Sequence, residues 1–298
     1  MAQAITDGIL GGMVYALMAA GLTLIFGVMD IINIAQGILV ILAAYLSYAL
    51  SVHLHINPLL GLLITVPVMF VLGVTVEWAF LRRLRGRERT AMSLLVSYAV
   101  AVIIEGALYQ VFGATPVAIQ SSYANSSVHV PGFHLLFIHV AGFYLANIYL
   151  IGAGLAIAAF AVIYLTLYRT KFGRSIRATM QDKVAARLIG INVNRVAALT
   201  FGIGVAVTAL GGMVYGVTNA FNPDSGYDLI SRLLSIVILG GLGSIGGAMV
   251  AALFMVTAEE IVNLWQPNWA TVVYYAVLVI VLLVKPVGLF GKREARAQ

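Results

Sequence analysis

The chain has 298 residues, of which 62% are hydrophobic and 9% charged, with a mean hydropathy of +1.02. A soluble domain is about half apolar and about a quarter charged, so this surplus excludes an ordinary soluble protein and makes lipid the solvent. The net charge of +6 does not imply nucleic acid, because 16 of the 17 Lys and Arg residues fall in three short stretches between apolar spans.

Apolar stretches long enough to cross a bilayer, about 20 residues each, are predicted near 8–28, 38–54, 59–81, 92–112, 143–167, 197–219, 229–243, 247–265 and 270–285. The pieces at 29–37, 240–247 and 286–291 are Gly-rich, Pro-containing or polar and read as breaks between helices. The expected fold is an all-α membrane protein: a polytopic bundle of about eight to nine transmembrane helices with broken or re-entrant segments, forming one domain over 1–298. No Lys or Arg precedes Arg82, so the first span lacks the basic start of a secretory signal and is expected to be retained.

The basic stretches are Arg82–Arg89, Arg169–Arg195 and Lys285–Arg296. Placing them in the cytoplasm puts the cation-free stretch 113–142 outside, together with 220–228, which carries Asp224 and Asp228. Nine spans then leave the N-terminus outside and the C-terminus cytoplasmic in a cell inner membrane. Eight spans result if 29–37 and a neighbour form a re-entrant pair.

Along the chain, the first unusual piece is 26–37, where Asp30, Asn33 and Gln36 stand three apart, on one face if the segment is helical, before Gly37. Polar backbone at membrane depth is tolerated only beside protein or a water-filled cavity, so this is either a gate element or a plain cytoplasmic turn. Ionisable groups inside spans are costly and need a reason. Glu77 is expected to pair with the arginines from Arg82 onward, and Glu259 and Glu260 to reach water at a span end. Arg232 stands alone in the seventh span. Glu105 has no such escape, with Tyr98 and Tyr109 at helical spacing from it. It reads as a cavity-facing group or as a helix–helix hydrogen bond. His53, His55, His129, His134 and His139 read as interfacial rather than metal-binding.

In the basic stretch 173–195, Asp182 stands at an N-cap position and Gly190 at the position that ends a helix. Val184, Leu188 and Ile189 supply one apolar face. A two-turn helix is unstable alone in water, so it must dock on a membrane surface or a partner. Gly241-Leu-Gly-Ser-Ile-Gly246 matches a dinucleotide pattern by spacing, but it lies between two membrane-length apolar runs rather than in a βαβ unit. It is better read as a helix break or close packing. The chain has no Cys and no phosphate-binding loop of the ATPase type, so thiolate metal sites and nucleotide binding by that loop are excluded. Neither a cofactor nor a metal is expected.

Residues 173–193 resemble the cytoplasmic loop of branched-chain amino-acid ABC permeases of the LivH type. Gly21–Val28 with Ile32–Gly37, Val237–Ala248 and Lys285–Gly291 resemble three further blocks of that family, in the same order. The resemblance implies a permease subunit that imports branched-chain or other hydrophobic amino acids, or a related solute such as urea, amides or aromatic acids. It implies pairing with a LivM-type permease, two ATP-hydrolysing subunits and an external binding protein, with no catalytic residues in this chain. It assigns the coupling loop to about 168–196, with Asp182, Ala185, Ala186, Arg187 and Gly190 meeting the ATPase and Ala185 and Ala186 permitting close approach. The path candidates are Asn33, Gln36, Tyr98 and Glu105. Gln36 stands where the family often has His, and Glu105 where it often has an amide, which leaves the substrate open. The alternative function is an ion-coupled carrier or passive channel with Glu105 as a proton site.

Overall fold

A computed structural model describes residues 1–84, 89–121, 126–130, 133–135, 138–140 and 143–291. Eleven helices account for most of them: α1 (Ala2–Met29), α2 (Gln36–His53), α3 (Pro58–Ala79), α4 (Arg89–Phe112), α5 (Asn147–Arg169), α6 (Lys171–Gln181), α7 (Lys183–Leu188), α8 (Val193–Thr218), α9 (Ser225–Gly240), α10 (Ile245–Asn263) and α11 (Pro267–Val284). Among the described residues, eight of these are long and apolar enough to span a membrane; α9, with 16 residues, falls short of that length, and α6 and α7 are shorter still. The chain is a multi-pass, all-α membrane protein, as its composition requires.

The helix starts are chemically marked. Asn57, Thr170, Asp182, Asn192 and Ser244 each accept a hydrogen bond from a first-turn amide, satisfying donors that the helix itself leaves free. Pro58 and Pro267 open α3 and α11, where a missing amide proton costs nothing.

α1 and α8 lie at the centre and are buried along most of their length, whereas α11 is mostly exposed. α1 packs on α8 and α10, α3 on α8, and α2 on α8 and α9. The contacts are made by small residues. A Cβ added at Gly21 would come within 2.3 Å of the Gly204 carbonyl oxygen, and one at Gly12 within 2.9 Å of the Leu253 Cα. Such backbone approach gives membrane helices the dispersion contact that hydrophobic expulsion from water cannot supply.

Several helix starts differ from the expected boundaries: α1 begins at Ala2 rather than 8 and α8 at Val193 rather than 197. The described residues within 127–146, a stretch expected to be partly loop and partly span, form antiparallel strands: β1 (Ser127–Val130) with β4 (Phe143–Ala146), and β2 (Phe133–Leu135) with β3 (Ile138–Val140). The fifth span therefore starts at Asn147 rather than 143. α9 starts at Ser225, where Asn222 Oδ1 accepts from the Ser225 amide at 3.1 Å, rather than at 229.

The Gly-rich break after α9 is a docking point. Gly241 and Gly243 have φ of +97° and +82°, and α10 begins two residues later. The segment after α11 folds back onto this break. The amides of Leu289 and Phe290 donate to the carbonyls of Leu239 (2.7 Å) and Gly240 (3.2 Å), terminal acceptors that α9 leaves unpaired.

Candidate functional site

α1 ends at Asp30, whose backbone is left-handed (φ 54°), a conformation that Asp tolerates better than most residues. The chain does not then continue along the bundle end as a plain turn. Residues 31–35 run back inward, and α2 starts inside the bundle. A Cβ at Gly21 would lie 3.1 Å from Gln36 Nε2, and Gly21 lies about 12 Å up the helix from Met29 at 1.5 Å per residue. Asp30, Asn33 and Gln36 therefore do not share a helical face, because the left-handed residue breaks the helix between them. Asp30 stays exposed, while Asn33 and Gln36 are buried.

The inward segment is laced by polar contacts from three directions. Asn33 Nδ2 donates to Gln36 Oε1 at 3.0 Å, and Gln36 Nε2 donates to Thr208 Oγ1 of α8. The Ile34 amide donates to Ser97 Oγ of α4 at 3.1 Å. Asn33 Oδ1 is buried without a hydrogen-bond partner among the described residues, which ordinarily costs about 1–3 kcal/mol.

The first turns of α2 and α9 meet at this depth, since a Cβ at Gly37 would fall 2.1 Å from the Gly226 carbonyl oxygen. Beside this meeting point Glu105 Oε2 accepts from Tyr227 Oη at 2.5 Å. Tyr98 lies against Tyr227 and Tyr109 against Asp224. Ile34, Ile38, Ala101 and Pro223 complete a notch of about 10 Å³, no larger than one water. Glu105 thus makes a hydrogen bond between α4 and α9. It is half-buried and opens on a face where Tyr98 and Tyr227 are exposed. Sequence reading missed Tyr227 and Thr208, which lie 122 and 172 residues from their partners in the chain.

Near the end of the bundle that carries the basic residues, Asp182 Oδ1 caps α7 by accepting from the amides of Val184 (2.7 Å) and Ala185 (3.1 Å). Gly190 has φ +86°; its amide donates to Arg187 O and that of Ile191 to Ala186 O, both at 3.0 Å. This pair of bonds closes a helix around a left-handed glycine. Val184, Leu188 and Ile189 are 65%, 84% and 74% exposed, so the apolar face of α7 points away from the bundle. Ala185 and Arg187 are exposed with it, but Ala186 is 2% exposed and belongs to the chain's own packing. The expectation that Ala186 meets a partner is corrected: a two-turn helix has one inner side, and Ala186 is on it. Lys183 reaches the end of α1, donating to Met29 O at 3.0 Å and pairing with Asp30.

Arg232 and Glu259 pair with each other within the chain. Arg232 of α9 contacts both carboxylate oxygens of Glu259 at 2.9 and 2.6 Å, and Asp228 at 3.2 Å. Glu259, expected to reach water, is 14% exposed and paired across 27 residues. The histidines of the strand region and the cations at 85–88 and 292–298 lie outside the residues whose side chains are described. Among the described residues, no His, Asp or Glu cluster could hold a metal.

The model of the family described as branched-chain amino acid transport system / permease component matches residues 4–282. The chain belongs to that family. It is 29% identical to the high-affinity branched-chain amino acid transport system permease protein LivH of Escherichia coli K12, over 98% of this chain and 96% of LivH. It is 27% identical to the corresponding protein BraD of Pseudomonas aeruginosa, over the same shares of each. LivM of E. coli K12 is 24% identical over 45% of this chain and 33% of LivM. The family's members are permeases rather than enzymes. The segments that carried the family resemblance include the inward segment before α2, the capped helix α7, and the Gly-rich break with its docked tail, whereas Tyr98, Glu105 and Tyr227 lie outside them.

Proposed function

We propose that this permease is one of two membrane subunits of an ATP-binding-cassette importer for branched-chain or other hydrophobic amino acids. In this reading it pairs with a LivM-type permease, receives substrate from an external binding protein, and is driven by two ATPases. The basic end is cytoplasmic and the N-terminus is outside. The observation that carries the reading is the tie between an exposed, apolar-faced helix at the basic end and a polar segment that re-enters the bundle.

An ATPase hydrolyses ATP outside this chain, so its motion must arrive through a contact stiff enough to transmit it. α7 has that form. It is capped at both ends, its outer side is apolar, and Lys183 joins it to the turn from which 31–35 re-enter. Displacement of α7 therefore bears on Asp30, and through it on Asn33 and Gln36.

An amino acid is a zwitterion, and the open face beside the notch offers partners for both charges. Discontinuous helices in transporters aim their positive N-terminal ends at substrate carboxylates. The first turns of α2 and α9 are of that kind, and Glu105 supplies the counter-charge for an ammonium. The second permease would cover the exposed Tyr98, Glu105 and Tyr227 and close the path. The alternative, an ion-coupled carrier with Glu105 as its proton site, differs from this reading in needing no ATP. Reconstitution with the binding protein and ATPases tests the proposal: uptake of leucine or valine must require ATP. Uptake that persists undiminished without ATP rejects it.

A further inference from the structure

A second cavity lies away from the notch, where the end of α3 faces α7 and the start of α8. It has a volume of about 710 Å³, room for a headgroup-sized molecule. Arg82 and Arg83 enter it from the turn after α3, and Lys183 and Arg187 enter it from α7. Its one lining carboxylate among the described residues is Glu77, which is buried. Lys183 is engaged with Asp30, but Arg82, Arg83 and Arg187 make no ion pair with any described residue. Val28, Leu84 and Trp78 give the cavity an apolar wall, and Trp78 is 58% exposed.

Basic residues near a membrane orient a protein, and that alone requires no cavity. Here the cations come from two elements more than a hundred residues apart and converge on one concave space. A concave, low-dielectric wall lined by one sign of charge focuses potential and concentrates counter-ions. Guanidinium forks match phosphate oxygens bidentately, which makes a cluster of three arginines a better phosphate site than a carboxylate site.

We propose that this cavity is a binding site for a phosphate-bearing anion, held by Arg82, Arg83 and Arg187 with the hydrocarbon part of the ligand, where it has one, against Trp78, Leu84 and Val28. The source is either an anionic phospholipid headgroup or a free phosphate compound. The site is distinct from the notch proposed for the transported solute, and it shares α7 with the proposed ATPase contact. Its occupant would bridge the end of α3 to α7, and so hold the helix that carries Lys183.

Trp78 lines the site and serves as its reporter. The chain has three tryptophans, so Trp265→Phe with Trp269→Phe leaves Trp78 alone. The full-length protein, purified in an uncharged detergent, is titrated with inorganic pyrophosphate, with short-chain phosphatidylglycerol and with short-chain phosphatidylcholine. The expected result is a saturable change in Trp78 emission with at least one of the two anionic probes. Affinity should fall at least tenfold in Arg82→Gln/Arg83→Gln and fall steeply with added salt. Both arginines are exposed, so these substitutions leave folding intact. A response to phosphatidylglycerol alone assigns the site to a lipid headgroup, and a response to pyrophosphate assigns it to a free phosphate. The proposal is overturned if neither anionic probe gives a saturable change. An equal response in the double variant, or an equal response to phosphatidylcholine, overturns it as well.

Discussion

Lys183 of α7 donates to the carbonyl oxygen of Met29 and pairs with Asp30, 153 residues earlier in the chain. It therefore caps α1 with a cation where the helix dipole is negative, and it holds the one residue whose left-handed backbone turns the chain inward. Asp30 is 67% exposed at its side chain, and exposed ion pairs contribute roughly 0–1 kcal/mol. The pair thus matters for position more than for stability. Asp30→Asn should leave the thermal midpoint of the purified permease within about 2 °C of the parent, by the same small energy. A loss of folded protein would make Asp30 structural.

Leu188 and Ala186 are two residues apart and should behave in opposite ways. Leu188→Glu puts a charge on a side chain that is 84% exposed, so the permease should remain as stable as the parent while losing the ATPase in a pull-down. Ala186→Trp overpacks a buried position and should destabilise α7 itself by about 1–3 kcal/mol. It should be seen as faster proteolysis of the 182–191 segment before any partner is added. Full ATPase retention by Leu188→Glu would move the docking surface elsewhere.

Arg232 and Glu259 form a mostly buried pair joining α9 to α10, with the Tyr274 hydroxyl of α11 donating to Arg232 O at 3.2 Å. Removing one partner leaves an uncompensated charge, so Arg232→Met should cost about 3–5 kcal/mol. Arg232→Met with Glu259→Leu should recover most of that loss. Unfolding of the purified chain measures both. Equal destabilisation by the single and double variants would show that the two charges are not coupled.

The spans were legible because a bilayer demands about 20 apolar residues in a row, a local property. The caps of α7 were legible for the same reason: Asp182 and Gly190 act within their own turn. What depended on distant residues was not legible. The pairing of Arg232 with Glu259, the inner side of Ala186 and the opening of Glu105 onto Tyr227 are each set by neighbours far along the chain. The break at Asp30 was visible as an anomaly of composition, but its direction was not. Only the depth of Gly21 and Thr208 shows that α2 starts inside the bundle.

Orientation can be read independently, since the chain has no native cysteine. Leu188→Cys should react with a membrane-impermeant maleimide only from the cytoplasm, and Trp265→Cys, at 72% exposure beyond α10, only from outside. Labelling of Leu188→Cys in intact cells would invert the topology.

At the notch, Glu105→Gln removes the negative charge but keeps an acceptor oxygen, whereas Tyr227→Phe removes the donor of the 2.5 Å bond. With Glu105 as the ammonium partner, Glu105→Gln should raise the substrate concentration for half-maximal uptake at least tenfold. Tyr227→Phe should change it several-fold less, because the carboxylate remains. Both variants should assemble normally. Unchanged uptake in Glu105→Gln would leave the bond a helix–helix contact alone.

The most direct test of coupling through Lys183 and Asp30 is ATP hydrolysis by the reconstituted complex, with and without loaded binding protein. Lys183→Asp and Asp30→Lys should each retain the bound ATPase subunits and basal hydrolysis, but lose most of the stimulation and the uptake that accompanies it. The exchanged pair, Lys183→Asp with Asp30→Lys, should regain a substantial part of both. Full stimulation and uptake in either single variant would contradict the account.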